Sequence, residues 1–248
     1  MKKRLDLMLV EKGLAGSRTL AQALVMEGKV RVSGQVERKA SRQLADDAPI
    51  EVESPPRFVS RGGEKLEGAF ASFSGFDVSG KICLDVGSST GGFTDCLLQH
   101  GAERVMAVDV GTNQLAYSLR VDPRVWCREN FNARYMTRDD LPYVPEIAVT
   151  DVSFISLKLI LPPIRDVLAP GGLAVALIKP QFEVGRGNAP GGLVRDERLR
   201  LEARDGIVEF AQKELGLELL GLETSPITGK EMGNVEYLSF WRKGTQVP

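Results

Sequence analysis

Histidine and cysteine are scarce in this sequence. The 248-residue chain has one histidine, His100, and three cysteines, at positions 83, 96 and 127, with no C-x-x-C pair. This count excludes a His-based catalytic triad and a His-rich metal centre, and the scattered cysteines predict neither a disulfide framework nor a zinc site. His100 precedes Gly101, which is typical of a helix C-terminus. We therefore expect no metal, and the free thiols favour a cytoplasmic protein.

Long apolar runs are absent as well. No stretch approaches the roughly 18 apolar residues that a membrane-spanning helix needs. The N-terminus is basic and then apolar, but Asp6 and Glu11 interrupt it, so a helix fits it better than a signal peptide. We expect no membrane insertion.

Charge is distributed unevenly along the chain. The formal net charge is −1, but residues 1–44 hold ten Lys and Arg against four acids, so the remainder is acidic. A basic segment on an acidic protein favours an anionic partner, although a charged face that only contacts solvent is the common alternative.

The first fifty residues predict a small module of two helices and a hairpin. The pattern indicates helices at 4–13 and 18–27, the second with Ser17 as its N-cap. Residues 29–36 alternate around a Ser33-Gly34 turn, and a further strand is expected at 49–53. The basic side chains that this module offers to a partner are Arg4, Arg18, Lys29, Arg31, Arg38, Lys39 and Arg42.

The spacing S-R-x-x-A-x-x-L-(x)3-G-x-V-x-V-x-G, which begins at Ser17, resembles the S4 RNA-binding domain. That resemblance implies that the helix and hairpin hold the phosphates of structured RNA. The module lacks base-stacking aromatic residues, which favours recognition of RNA shape and backbone over single-strand readout. We expect an S4-like domain at 1–53, a Pro-containing linker at 54–59 and a second domain at 60–248.

Strands and helices alternate after residue 80, which predicts a parallel sheet covered by helices on both faces. The expected strands are 81–86, 104–109, 124–128, 146–152, 172–179, 217–224 and 234–242. The expected helices lie near 64–73, 92–100, 113–119, 157–168 and 197–214. A long Gly-rich loop at 182–195 carries Arg186, a further candidate for RNA contact.

A glycine-rich loop follows the first of these strands. Its order from Asp85 is D-x-G-x-S-x-G-G, which matches neither the dinucleotide fingerprint nor a phosphate-binding P-loop. We expect Asp85 at the mouth of the loop, where it would suit a cation such as the amino group of a methionine. Asp109 ends the next strand, where an acid can bind a ribose diol. The combination favours S-adenosylmethionine over a dinucleotide.

Four polar residues fall where an α/β fold would bring them to one cleft. Asp151 and Lys179 each end an apolar strand, Lys65 precedes the first strand, and Glu236 lies near the start of the last. Methyl transfer to a sugar hydroxyl needs a group that takes the hydroxyl proton. With the sole histidine unsuited, a lysine is the natural base, and no metal is required.

This arrangement resembles the FtsJ-like ribose 2′-O-methyltransferases, which use a Lys-Asp-Lys-Glu tetrad. It resembles more closely the TlyA family of ribosomal RNA methyltransferases, which are also known as hemolysins. The matching motifs are Val59–Gly63, Asp85–Thr94, Asp151–Ser156, Lys179–Gly185 and Gly233–Tyr237, spread over essentially the whole chain.

The resemblance implies an α/β, Rossmann-like class I methyltransferase fold with a seven-stranded, mostly parallel sheet. It implies S-adenosylmethionine as donor, ribosomal RNA or ribosomal subunits as partner, and Lys65, Asp151, Lys179 and Glu236 as the catalytic tetrad. The substrate would be a cytidine ribose 2′-hydroxyl in 23S rRNA alone or in both 16S and 23S rRNA. The end at Pro248 resembles the shorter, 23S-only subtype. The implied cofactor-binding residues are Ser60, Arg61, Gly63, Asp85, Gly87, Ser88, Ser89, Gly91, Gly92, Phe93, Asp109, Val110, Gly111, Asn130, Asp151, Val152 and Ser153.

Three other functions remain as alternatives. Base N-methylation would require an Asn/Asp-Pro-Pro-Tyr/Phe loop where Asp151-Val-Ser-Phe154 stands. A pore-forming hemolysin would need a membrane span or a strongly amphipathic hairpin, and the sequence has neither pattern. A non-catalytic RNA-binding protein is disfavoured by the intact tetrad.

Overall fold

The computed structural model describes residues 2–53, 56–185, 187–228 and 233–245. It divides into two compact units, Met1–Pro56 and Arg57–Pro248, here called the N-terminal and C-terminal units. Arg186, a predicted RNA contact, lies outside the described residues, as do positions 54 and 55 of the expected linker.

The N-terminal unit combines two helices with short strands. In chain order its elements are β1 (Lys2–Arg4), α1 (Leu5–Glu11), α2 (Arg18–Met26), β2 (Val30–Val32), β3 (Gln35–Val36), β4 (Gln43–Ala45) and β5 (Ile50–Val52). Strand β2 pairs antiparallel with β3 and with β5, so the expected hairpin and following strand are confirmed. The Ser17 hydroxyl accepts a hydrogen bond from the Leu20 amide at 3.2 Å, which confirms the predicted N-cap.

One pairing in this unit was not predicted. Residues 2–4 form β1, which pairs antiparallel with β4, so the first helix begins at Leu5. Three residues are too few to show the alternation that identifies a strand. Apolar side chains of α1 and α2, including Leu5, Leu9 and Val25, are fully buried and form the core of the unit.

The C-terminal unit is built on a seven-stranded sheet in the order β11-β12-β10-β9-β6-β7-β8. Its strands are β6 (Ile82–Val86), β7 (Arg104–Val108), β8 (Val125–Arg128), β9 (Ile147–Thr150), β10 (Leu173–Ile178), β11 (Glu218–Thr224) and β12 (Tyr237–Arg242). Strand β12 runs antiparallel to both of its neighbours, and the other pairings are parallel. The predicted mostly parallel, seven-stranded sheet is confirmed.

Helices cover both faces of this sheet. They are α3 (Gly62–Ser72), α4 (Gly92–Gln99), α5 (Tyr117–Arg120), α6 (Leu161–Val167) and α7 (Glu197–Lys213). One apolar cluster joins α3, α4 and α5 to one face of the sheet, and a second joins α6 and α7 to the other. Both faces are buried, which explains why the central strands are almost continuously apolar.

The helix expected at 113–119 is shorter than predicted and occupies only Tyr117–Arg120. The Glu129 carboxylate accepts hydrogen bonds from the amides of Asn113, Gln114 and Leu115 at 2.8, 2.8 and 3.1 Å. These bonds hold residues 113–115 as a loop, because the amides are satisfied by a side chain rather than by a helix.

The strand order locates the ligand-binding crevice. Strand β6 lies between β9 and β7, so the chain leaves β6 on one side and later returns on the other. In open α/β sheets, ligands bind beyond the carboxyl ends of the strands at such a switch point. The carboxyl end of β6 carries the glycine-rich loop.

Candidate active site

The loop between β6 and α4 is pressed closely against two neighbouring segments. Gly87 has φ +81°, and a Cβ there would lie 2.8 Å from Val152 Cγ1. A Cβ on Gly92 would lie 2.3 Å from Ser60 Oγ and 2.8 Å from the Gly63 nitrogen. Only glycine allows these approaches, so the loop is packed between the 60–63 segment and the chain after β9.

A cavity of about 580 Å³ opens beyond the carboxyl ends of β6, β7 and β9. Predicted cofactor-binding residues contribute to its wall, namely Gly87, Ser89, Asp109, Val110, Asp151, Val152 and Ser153. Apolar side chains, among them Phe131 and Ile155, complete the wall. The cavity therefore combines an apolar surface with a few polar groups, as small-molecule sites do.

Two smaller cavities share residues with the first. One, of about 180 Å³, is lined by Lys179 and by the predicted residues Ser60, Gly87, Ser88, Ser89, Gly92, Phe93, Asp151 and Ser153. The other, of about 250 Å³, is lined by Ser60, Arg61 and Lys65 among others. The glycine-rich loop thus lies between the large cavity and the lysines of the predicted tetrad.

Asp109 lies where the sequence placed it, at the end of β7. Its two carboxylate oxygens accept hydrogen bonds from the amides of Ser89 at 2.8 Å and Gly111 at 2.6 Å. These bonds join the β6 and β7 loops and orient the carboxylate at the cavity wall.

Asp85 is not at the mouth of the loop, and that expectation is wrong. Its side chain is fully buried and accepts a hydrogen bond from the Thr94 hydroxyl at 2.7 Å. Its other oxygen, Oδ1, has no hydrogen-bond partner among the described residues. Burial raises the pKa of this carboxyl to about 7. The side chain projects from β6 towards α4, beneath the loop, and lines none of the three cavities.

Four further predicted cofactor residues also lie outside the walls of these cavities, namely Gly63, Gly91, Gly111 and Asn130. A Cβ on Gly63 would collide with Phe58, and one on Gly91, which has φ +101°, would lie 2.3 Å from Leu119 Cδ1. Both glycines therefore permit close packing of the surrounding chain. The Asn130 side-chain oxygen accepts a hydrogen bond from the Thr112 hydroxyl at 2.6 Å, and the Asn130 backbone N–H donates to the Gly111 carbonyl. In place of Asn130, the next two residues, Phe131 and Asn132, line the large cavity.

The four tetrad residues lie together, although they come from distant parts of the sequence. Lys65 Nζ is 2.7 Å from Glu236 Oε2 and 3.4 Å from Asp151 Oδ2. Lys179 Nζ is 2.5 Å from Asp151 Oδ1 and also donates to Ser153 Oγ at 2.9 Å. Lys65, Lys179 and Glu236 are buried. Two cations alternate with two anions, so the group is electrically balanced, as burial requires.

The sheet order explains why these residues meet. Asp151 follows β9, Lys179 follows β10, and Glu236 immediately precedes β12, which is antiparallel and so begins at the same edge. Lys65 reaches the edge from the first turns of α3. Asp151, Ser153 and Lys179 share the smaller cavity with the glycine-rich loop. A hydroxyl bound there would face an amine whose position is fixed by a carboxylate and a serine.

His100 caps α4 as predicted, and its amide bonds the Cys96 carbonyl at 3.0 Å. Its ring also stacks on Phe70 and lies 2.7 Å from Glu67 Oε2. Within the part of the chain that the structure describes, Glu67, Cys96 and His100 form the one group with three potential metal ligands. The other Glu67 oxygen accepts a hydrogen bond from Arg57 at 2.8 Å, so Glu67 connects α3 to the end of α4 and to the segment before α3.

Most basic side chains of the N-terminal unit have partners within it. Arg4 and Arg18 bond the buried Asp6, and Arg42 pairs with Glu37. The other contacts join Lys29 to Glu27, Arg31 to the Gly34 carbonyl, and Arg38 to the Met26 carbonyl. Arg18, Arg31, Arg38, Lys39 and Arg42 are exposed, whereas Arg4 and Lys29 are partly buried.

Comparison with known families agrees with this geometry. Residues 58–243 match the FtsJ-like methyltransferase family and residues 3–48 match the S4 domain. The chain belongs to the FtsJ-like methyltransferase family. That family and its fold indicate S-adenosylmethionine as the cofactor.

Similar proteins extend over nearly the whole chain. A Bacillus subtilis protein described as a candidate rRNA methyltransferase, YqxC, is 48% identical over 96% of this chain and 84% of its own. The 16S/23S rRNA (cytidine-2′-O)-methyltransferase TlyA of Mycobacterium tuberculosis is 44% identical over 98% of this chain and 90% of its own. A solved structure described as a candidate hemolysin from Streptococcus thermophilus superposes with a TM-score of 0.75 at 42% identity, covering 98% and 89% of the two chains.

A hemolysin that inserts helices into a membrane would need long apolar helices. Across the described ranges, none of the helices combines the length and apolar character needed to cross a bilayer.

Proposed function

We propose that this protein transfers a methyl group from S-adenosylmethionine to the 2′-hydroxyl of a cytidine ribose in 23S ribosomal RNA. The observation that carries the proposal is the ion-paired cluster of Lys65, Asp151, Lys179 and Glu236 beside the glycine-rich loop. The name of the mycobacterial relative, which specifies the cytidine 2′-oxygen of rRNA, supports the choice of substrate.

The described residues fit the donor. The large cavity offers an apolar wall that includes Phe131 and Val152 for the base, and Asp109 stands at its edge for the ribose hydroxyls. The glycine-rich loop, packed closely against its neighbours at Gly87 and Gly92, forms one wall of the cavity of about 180 Å³ where the methionine part would lie. When bound, the donor supplies a methyl group activated by attachment to a positively charged sulfur.

The residues of the chain position and deprotonate the acceptor. The Lys179 amine, once it has released its own proton to solvent, would accept the proton of the ribose hydroxyl. The methyl group would pass from sulfur to the ribose oxygen, and the electron pair of the broken carbon–sulfur bond would stay on sulfur. Asp151 and Ser153 fix the position of that amine through contacts of 2.5 and 2.9 Å. Lys65 bridges Asp151 and Glu236, so it holds the orienting carboxylate in place. Alignment of the acceptor oxygen within a fixed site supplies much of the rate.

The N-terminal unit would bind the RNA backbone. Its exposed arginines and Lys39 give phosphates a basic surface without aromatic platforms, which fits a structured RNA. We assign residues 1–53 to RNA binding and residues 60–248 to methyl transfer, joined by the linker at 54–59. Binding to ribosomal subunits should therefore weaken steeply as salt is raised.

The test uses purified protein, 30S or 50S subunits from cells lacking the gene, and donor with a labelled methyl group. We expect label at a cytidine in 23S rRNA, at a ribose that resists alkaline cleavage. Lys179→Ala should lower transfer by about 10²- to 10⁴-fold, while donor binding measured by calorimetry persists. Lys81→Ala is the matched control, because Lys81 is also ion-paired, to Glu146 at 2.8 Å, but precedes β6 at the opposite edge.

Full transfer by Lys179→Ala would refute its role as the base. Label on a base rather than a ribose would refute the reaction, and label in 16S rRNA alone would refute the proposed subunit.

A further inference from the structure

We infer that Glu183 and Asn234 are positioning residues of the proposed active site. They hold residues 183–185 and 187–194, here called the edge loop, against the segments that carry Asp151 and Glu236. The inference rests on the proposed function, since it assigns these residues a role in the same reaction. Neither side chain belongs to the tetrad or lines the three cavities of the site.

Glu183 connects the loops that follow β9 and β10. It lies four residues after Lys179, at the end of a short 3-10 turn, Pro180–Phe182. Its carboxylate accepts hydrogen bonds from Ser156 Oγ at 2.5 Å and from the Leu157 amide at 2.8 Å. The Lys179–Asp151 ion pair joins the same two loops at their start. The two loops therefore contact each other at two places, through the Lys179–Asp151 ion pair and through the hydrogen bonds of Glu183.

Burial of the Glu183 carboxylate costs folding free energy, which indicates that its hydrogen bonds contribute to the stability of this part of the fold. Burial raises the pKa of Glu183, against the effect of the two hydrogen bonds. A partly buried acid with no cation bonded to it destabilises a fold unless its acceptor capacity is used. Among the described residues, each oxygen of the Glu183 carboxylate accepts a hydrogen bond from the segment that begins with Asp151.

The backbone of that segment is strained at Phe154. This residue has φ +64° and a side chain that is 91% exposed. A bulky residue adopts this conformation only where its surroundings determine it. The Lys179–Ser153 bond lies on one side of Phe154 and the Glu183–Ser156 bond on the other. Both bonds come from the chain after β10, which therefore determines the conformation of the loop after β9.

Asn234 connects the other end of the edge loop to the tetrad. Its side chain is buried, donates through Nδ2 to the Gly192 carbonyl at 2.8 Å, and accepts through Oδ1 from the Val194 amide at 3.1 Å. Glu236 follows two residues later and pairs with Lys65. Both ends of the amide are satisfied by the loop, so asparagine is required where aspartate would place an anion against a carbonyl oxygen.

The edge loop thus connects the ends of β9, β10 and β12, the three strands next to Asp151, Lys179 and Glu236. The ion pairs of the tetrad depend on the relative positions of these strand ends. A misplacement of about 1 Å at a catalytic group can cost about 10²-fold in rate. Loss of either fastening should therefore lower kcat rather than donor binding.

The experiment compares Glu183→Ala, Glu183→Gln, Asn234→Asp and Asn188→Asp in the full-length protein. Asn188→Asp is the matched control, because Asn188 lies in the same loop, is exposed, and donates its side-chain hydrogen bond to the Val184 carbonyl of that loop. Transfer to 50S subunits gives kcat and KM, calorimetry gives the affinity for S-adenosylmethionine, and amide hydrogen exchange reports the segments 151–157 and 192–196.

We expect Glu183→Ala to lower kcat by about 10²-fold and Asn234→Asp by roughly tenfold, with donor affinity unchanged. Glu183→Gln should recover most of the loss, because a carboxamide can still accept from Leu157 and contact Ser156. Exchange in the two segments should rise in Glu183→Ala and Asn234→Asp but not in Asn188→Asp. If Glu183→Ala fails to fold, Ser156→Ala is the second variant. It removes little volume and deletes the bond to Glu183 together with the bond from the Lys158 amide, and it should lower kcat by less than about 10²-fold.

Wild-type kcat in Glu183→Ala, or a Glu183→Gln variant no better than alanine, would overturn the positioning role. If the wild-type protein does not methylate 50S subunits, the proposed function fails. The exchange measurement still decides whether the two side chains hold the loop, because it needs no turnover.

Discussion

Two aspartates of this protein have no solvent exposure, and they differ sharply in their partners. Asp6, in the N-terminal unit, accepts hydrogen bonds from Arg4, Arg18 and Gln22 at 2.9 to 3.0 Å. The bonds from Arg4, chiefly, hold the pKa of Asp6 well below its usual range despite burial. Asp85, in the C-terminal unit, accepts one side-chain hydrogen bond, from Thr94, and burial raises its pKa to about 7.

The difference shows that burial alone does not set the charge of a carboxyl group. The donors of Asp6 join the end of β1 to α2, so its ionised form stabilises the N-terminal unit. Asp85 keeps an oxygen without a hydrogen-bond partner among the described residues, directly beneath the glycine-rich loop. Buried polar atoms without partners are uncommon and concentrate at functional sites. The C-terminal unit therefore contains a buried aspartate with an unpaired oxygen among the described residues, whereas both oxygens of Asp6 in the N-terminal unit accept hydrogen bonds.

The largest effect is expected from Asp6→Ala. Removing the shared acceptor deletes the hydrogen bonds from Arg4, Arg18 and Gln22, and the free energy of unfolding of the N-terminal unit should fall by about 3 kcal/mol. Amide exchange over residues 2–52 of the full chain measures this. Asp46→Ala is the control, because Asp46 pairs with Lys3 at 3.4 Å but is largely exposed.

The pH dependence gives this prediction a second readout. Because the folded-state pKa of Asp6 is lowered, its contribution is complete above the unfolded pKa of about 4 and is lost as pH falls further. Exchange protection that is equal in Asp6→Ala and wild type at pH 7 would contradict a structural role.

Asp85→Asn should change the unfolding free energy by less than Asp6→Ala does, and the pH dependence that it removes has the opposite sign. A raised pKa means that the folded state favours the protonated acid, so this contribution is complete below about pH 4 and is lost as pH rises through about 7. Between pH 5 and pH 8 the wild type should lose about 2 kcal/mol of unfolding free energy that Asp85→Asn does not lose.

Denaturant unfolding of the C-terminal unit at the two pH values measures this difference. Asp77→Asn, at an exposed aspartate of the same unit, should keep the wild-type profile. Parallel profiles for wild type and Asp85→Asn would show that Asp85 is ionised throughout.

Much of the fold follows from the sequence because its signals are periodic. The strands of the C-terminal unit are apolar runs that end in Asp85, Asp109, Asp151 or Lys179, and parallel strands bring such ends to one edge. That rule also predicts the meeting of Asp151 and Lys179 across many intervening residues. Strand β1 escapes prediction, because its pairing with β4 depends on a partner forty residues away and on no local pattern.

Side-chain direction is what the sequence does not provide. Whether Asp85 faces the ligand or α4 depends on the pleat and twist of β6, and the structure shows that it faces Thr94. Asn130 and Phe131 are neighbours, yet only the second lines the cavity, because the left-handed backbone at Asn130 turns the chain. Glu183 resembles a surface acid in the sequence, and its role depends on contacts with a separate loop.

Thr94→Val tests the side-chain hydrogen bond that Asp85 accepts. Its loss leaves both carboxylate oxygens of Asp85 without a side-chain donor, so the pKa should rise further and unfolding free energy at pH 8 should fall by about 1.5 kcal/mol. Denaturant unfolding at pH 8 measures the change. Thr94→Ser, which keeps the hydroxyl, should retain most of the wild-type stability. A Thr94→Val variant as stable as the wild type at pH 8 would contradict a stabilising role for this hydrogen bond.

The smallest effect is expected from Gln22→Met, which removes one of several donors to Asp6 and preserves side-chain length. The arginine bonds remain, so unfolding free energy of the N-terminal unit should fall by less than about 1 kcal/mol. Amide exchange over α2 measures it. Gln22→Met and Thr94→Val each delete a single donor to a buried aspartate, so their ratio tests the comparison directly. Equal losses of unfolding free energy in the two variants would mean that the number of remaining donors does not determine the free-energy cost of burying a carboxylate.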